Sequence, residues 1–130
     1  MSALTIVRDI LLADTTVIAV TATRIWPIVK PQNSPNPAIV LTLVSEEDGR
    51  HLGGSNRYPL ARYIVDCLAD DYAGADALGD KVKDALRDYR GVAGGITVDD
   101  LALDDLDFFD RGEQGDIWRR RLGFRIRYRA

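Results

Sequence analysis

One histidine, one cysteine, a run of carboxylates and a closing run of arginines are the residues of this chain with chemistry to offer. His51 is the only histidine, so a serine–histidine–aspartate triad would have to use it. It sits in the glycine-rich stretch EEDGRHLGGSNR, where no element fixes a general base, and a solvated loop imidazole is the expectation. Cys67 falls among Ala61, Tyr63 and Val65 in a strand-like run, which predicts a buried, inert thiol rather than a nucleophile. As the sole cysteine it can form neither an internal disulfide nor a multi-thiolate metal site within one chain.

Eight acidic residues fall between Asp99 and Asp116. Hard cations take several carboxylates, but the spacing lacks the alternate oxygen ligands, central glycine and closing glutamate of a calcium-binding loop. The glycines of GRHLGGS and GVAGG have no phosphate-loop lysine and precede no helix as a dinucleotide fingerprint requires. They read as turn glycines, and no metal or cofactor is implied.

The closing segment is different. Between Arg119 and Arg129 the chain carries six arginines and no acid. Strand alternation puts Trp118, Arg120, Leu122, Phe124, Ile126 and Tyr128 on one face and the other five arginines on the opposite face. Guanidinium groups are not buried unpaired, so this stripe meets water, a neighbouring acidic strand, a partner subunit or nucleic acid. If 99–107 lies antiparallel to 117–129, aspartates and arginines face each other within the chain. A partner surface and a nucleic-acid surface remain the other two readings. Few exposed aromatics accompany the arginines, which counts against single-strand binding.

The elements that position these groups follow from periodicity. Residues 3–13 place Leu4, Val7, Ile10 and Leu11 at helical spacing with Ser2 as a possible N-cap, and Asp14 can cap a short turn over 15–20 whose β-branched content leaves a strand open. Residues 24–29 are strand-like, but Pro27 confines them to an edge or an extended connection. The prolines of 31–37 predict a loop. Residues 38–44 and 60–68 read as two strands joined by a long polar hairpin tip. A helix is expected over 73–89 with Ala75, Leu78, Val82, Leu86 and Tyr89 on its apolar stripe, stopped by Gly91, Gly94 and Gly95. Strands follow over 96–103, with 106–109 extending it or pairing separately, then a turn over 111–115 and a long strand over 117–128. The expected fold is α+β, a largely antiparallel sheet of about four to five strands with two main helices packed on one face and a long β-hairpin.

The chain has 130 residues, 46% of them hydrophobic and 28% charged, with a net charge of −3. That length and balance predict one folded domain over 1–130. Net acidity argues against a duplex DNA binder. No apolar run approaches a bilayer span and no signal-peptide pattern opens the chain, so no membrane partner and a cytoplasmic origin are expected.

Over nearly its whole length the chain resembles the tail-terminator (tail-completion) proteins of long-tailed bacteriophages, prophages and gene-transfer agents. The resemblance rests on the order of a short N-terminal helix, TRIWPIVKPQNSPNPAIVLTLVS, RYIVDCLADDYAGADALGDKVKDAL and a closing WRRRLGFRIRYR. It implies a structural protein without catalytic residues. It further implies a homo-oligomeric ring, hexameric in the family, that caps the tail tube, stops its growth and meets a head-completion or stopper protein. The setting would be the head-proximal end of the virion tail, reached from the host cytoplasm, with DNA only as cargo passing through the lumen. The expected surfaces toward subunit and tail-tube protein are Arg50, His51, Leu52 and Arg57 in the hairpin, with Asp99, Asp104 and Asp107 and the stripe Arg119, Arg121, Arg125, Arg127 and Arg129. The alternative is a small nucleic-acid-binding or regulatory protein using the same arginine strand.

Overall fold

The computed structural model describes residues 3–31, 35–47, 50–51, 54–55, 59–93, 95–111 and 117–129. Helix α1 (Ala3–Ala13) buries Ile6, Val7, Ile10 and Leu11, as its spacing predicts; Ser2 lies outside the described residues. Asp14 accepts hydrogen bonds from the N–H groups of Thr16 and Val17 at 2.9 and 3.2 Å and so opens α2 (Thr15–Thr21). This cap decides for helix where the β-branched residues left a strand open, because it satisfies two donors the first turn leaves unpaired.

The remaining elements are β1 (Ile25–Pro27), β2 (Ala38–Glu47), β3 (Arg50–His51), β4 (Gly54–Ser55), β5 (Leu60–Ala69), α3 (Tyr72–Leu86), β6 (Gly91–Ala93), β7 (Ile96–Arg111) and β8 (Trp118–Tyr128). Six strands form one sheet in the order β1-β2-β5-β8-β7-β6, and β3 pairs with β4 as a separate ribbon at the end of the β2–β5 hairpin. All neighbours in the main sheet are antiparallel except β1 and β2.

The architecture is α+β, but the expected four to five strands become six. Of the two three-residue border strands, β1 falls in the 24–29 stretch expected at an edge or in an extended connection, and β6, with the sequence GVA, is the addition, too short to show a period. Pro27 does lie at the border, as its missing N–H demands. The glycine at 91 belongs to β6 and does not stop the helix. Instead α3 ends at Leu86, where Arg87 turns extended and Asp88 takes φ +60°. Segments 96–103 and 106–109 form one strand, carried through a bulge between Leu103 and Asp107. In that bulge Leu106 fills the space above Gly123, where a Cβ would stand 2.8 Å from Leu106 Cβ.

Helix α1 touches β1 and β2 at one border and β6 at the other, so the sheet curls around it. Helix α3 lies over β5, β7 and β8, and α2 packs on α1 and α3. Between helices and sheet, Tyr63 and Phe124 stack with ring centroids 5.6 Å apart. The opposite sheet face has no helix on it among the described residues. At the β1 border the outward main-chain groups are taken: Ile25 N–H by Thr23 at 2.8 Å, the Ile25 carbonyl by Arg8 Nε at 3.0 Å and the Pro27 carbonyl by Val29 N–H at 2.8 Å. Strand addition is blocked there.

Candidate assembly interface on the arginine strand

Strand β8 lies between β5 and β7, so its arginines stand among acids supplied by both neighbours and by α3. On the outer face Arg119 holds Asp110 bidentately at 2.6 and 2.7 Å, and Arg121 donates to Asp66 at 2.8 Å. Arg129 reaches Asp99 at 3.2 Å, and Arg125 comes within 4.0 Å of Asp104. Internal pairing is thus realised for the stripe, from two sources: β7 supplies Asp99, Asp104 and Asp110, and β5 supplies Asp66. The hydrogen bonds from Arg119 hold the Asp110 carboxyl below its usual range, and Asp110 in turn raises Arg119. For Asp66 burial outweighs the attraction of Arg121, and its carboxyl is pushed up.

The strongest ion-pair centre is on the other face. Arg120 is buried, 6% exposed, under α3. Its guanidinium donates to both Asp107 oxygens at 2.9 Å, to Asp80 at 2.9 Å, and to the carbonyl and carboxylate of Asp76 at 2.9 and 3.3 Å. Lys83 adds a second cation on Asp107 at 2.6 Å. The Arg120 hydrogen bond, above all, and then that of Lys83, draw the Asp107 carboxyl down to about 2. This pairing ties the last strand, β7 and α3 together in a fork geometry that only arginine supplies.

Strand alternation put Arg120 on the same face as Leu122, Phe124 and Ile126 without singling it out. The available signal was a cation at an even, core-facing position, which must be paired. The pairing of Asp107 is therefore with the core side of the strand, not with the outer stripe. Arg125 and Arg127 are exposed and, with Leu60, Asp100 and Ala102, line a shallow hollow of about 160 Å³ near the base of the β2–β5 hairpin. Arg50 and His51 enter through their backbone, paired with Ser55 and Gly54. Leu52 and Arg57 lie outside the described residues.

Among the described residues no group of histidine, cysteine and carboxylates could hold a metal ion. Cys67 is fully buried, and burial pushes its thiol far up. A second feature lies at the far end of the sheet, where Tyr72, Phe109 and Trp118 cluster with centroids 4.7 and 5.5 Å from Tyr72 and Arg111 sits 5.2 Å over Trp118.

Salt-bridged strands under a helical layer, around a buried thiol, define an α+β protein. A family model for the tail completion protein gp17 matches residues 5–129, and the chain belongs to that family. It is a structural protein of tail assembly, not an enzyme. A solved chain described as "Virion of native gene transfer agent (GTA) particle" superposes with a TM-score of 0.75 at 23% identity, covering 99% of this chain and 96% of that one. At that identity the likeness is one of fold. Comparison with curated proteins returns no match.

Proposed function

We propose that the chain closes into a ring, a hexamer, at the head-proximal end of the tail tube, stops tube elongation there and presents its other face to a head-completion protein. The observation that carries this reading is the tail-completion family match across residues 5–129. The likeness in fold to a chain of a gene-transfer-agent virion supports it. Ring, partners and capping fit a chain whose charges are segregated by strand, since complementary surfaces on one protomer can meet head to tail around a closed ring.

Within this reading the hairpin residues Arg50, His51, Leu52 and Arg57 and the exposed Arg125 and Arg127 face a neighbour or the tube. Arg119, Arg121 and Arg129, which hydrogen-bond carboxylates of the same chain, position the strand. Their pairing also removes the main support for the nucleic-acid reading, which needs the stripe's charge available to phosphates. The R125E/R127E variant tests the assignment, because both side chains are exposed and charge reversal leaves the core untouched. Expected are tails of uncontrolled length or tails that fail to join heads, with an unchanged circular dichroism spectrum. Normal capping and joining by that variant would mean that Arg125 and Arg127 take no part in an assembly contact.

A further inference from the structure

Helix α1 and strand β1 leave a hollow of about 470 Å³ between them, lined by Leu4, Thr5 and Arg8 of the helix and by Trp26, Pro27 and Ile28. That volume lies in the range of ligand pockets, and apart from Thr5 and Arg8 the walls are apolar. Ile28, 72% exposed, stands on the rim. It takes φ +71°, a rare conformation for a β-branched residue, with Val29 N–H bonded across it to the Pro27 carbonyl at 2.8 Å. Backbone strain of this kind concentrates where a protein grips a ligand or partner.

Arg8 is the one charged group of that lining. Its Nε donates to the Ile25 carbonyl at 3.0 Å, and among the described residues it meets no carboxylate. In this it differs from Arg119, Arg120, Arg121 and Arg129, which all bond carboxylates of their own chain. A purely apolar occupant would seal the guanidinium from water unpaired, and a cationic one would meet like charge. A phosphate backbone would lose its hydration against Leu4, Trp26 and Pro27. An apolar group that carries a carboxylate fits both the walls and the fork of the guanidinium.

The way such a group can arrive is restricted. The outward main-chain groups of β1 are already bonded, and Pro27 has no N–H, so an occupant cannot be held as an added strand. Residues inside an extended segment carry an apolar side chain and a carboxylate on separate Cα atoms, and to present both they would have to lie along that border. The last residue of a polypeptide carries both on one Cα and needs no pairing with β1.

We infer that the hollow between α1 and β1 docks the carboxyl-terminal end of a protein partner whose last residue is apolar, with the terminal carboxylate on Arg8. The inference stands apart from the ring reading, and none of the outcomes below bears on ring formation. The test titrates the full chain with three peptides: acetyl-glycyl-seryl-leucine with a free carboxyl end, the same peptide amidated, and acetyl-glycyl-leucyl-glutamyl-glycinamide. The reporter is the indole N–H resonance of Trp26, whose Nε1 is buried without a hydrogen-bond partner, with that of Trp118 as control. The free acid should shift Trp26 and not Trp118, and should bind at least about tenfold more tightly than the amide. R8Q keeps a donor for the Ile25 carbonyl and removes the charge, and should bind acid and amide alike. Equal binding of acid and amide by the unaltered chain would overturn the inference, whether or not R8Q folds. Binding of the internal glutamyl peptide as tight as that of the acid would overturn the chain-end assignment. No shift with any peptide would overturn the site, and a shift that grows with chain concentration alone would give the hollow to a second copy instead.

Discussion

A Cβ placed on Gly79, in the middle of α3, would stand 2.4 Å from Cδ of Arg120 on β8. The helix and the strand share one space, and the glycine leaves it to the guanidinium. A mid-helix glycine costs about 1 kcal/mol against alanine, so G79A would ordinarily stabilise. Here it pushes Arg120 away from Asp107, and the expected outcome is a loss of about 1–3 kcal/mol, read from urea unfolding. R120A should lose about 2–3 kcal/mol, less than a fully enclosed pair would, because the Asp76 and Asp80 side chains are 48% and 64% exposed. R120K should recover little of the loss, since an ammonium cannot grip both Asp107 oxygens. The two changes should be far from additive, because each removes the same contact.

How far the sequence carries is visible in this pair. The alternation of β8 and the stripe of α1 were legible, because each period is complete within one element. The face Arg120 shares with Leu122 and Phe124 was legible as well, though not its burial. Its partners were not: Asp76 and Asp80 lie about 40 positions earlier and meet it only once α3 crosses the sheet. Borders were also hidden. Three residues of β6 cannot show a period, and bulges such as the one at Leu106 exist only relative to a partner strand.

Asp107 should be the largest single source of acid sensitivity in this fold. Its carboxyl is held at about 2 in the folded chain, against about 3.9 in the unfolded one. A carboxylate depressed on folding contributes stability above its unfolded value and loses it as pH falls through the folded one. The contribution should be present above about pH 4 and be gone near pH 2, and after solvent screening it amounts to about 1–2 kcal/mol. Asp110 and Asp14, both depressed, act in the same direction, whereas Asp66, raised by burial, opposes them. Thermal melts of D107N between pH 5 and 2 should show lower stability at the upper end and a shallower fall. An acid limb as steep as that of the parent chain would remove Asp107 as its main source.

Burial makes a third expectation sharp. Cys67 is enclosed between sheet and helices, paired across to Ile39 and Arg120, and its thiol is pushed far above its ordinary value. The thiolate is the reactive form, so a disulfide reagent at pH 8 should label the folded chain on the timescale of unfolding, not of diffusion. Rapid labelling of the native chain would show that the strand pair around Cys67 opens locally. C67A should cost about 1 kcal/mol from lost packing and leave assembly unaffected.

Ile28 separates stability from function. At φ +71° a β-branched side chain is strained, and glycine adopts that conformation freely. I28G should therefore raise the unfolding free energy by about 1 kcal/mol, offset in part by glycine's greater freedom in the unfolded chain, and no buried contact is lost because the side chain is 72% exposed. The same change removes an exposed apolar side chain. If Ile28 takes part in an assembly contact, I28G yields a chain that melts at a higher temperature yet assembles less well. A variant both more stable and fully competent in assembly would show that the Ile28 side chain takes no part in such a contact.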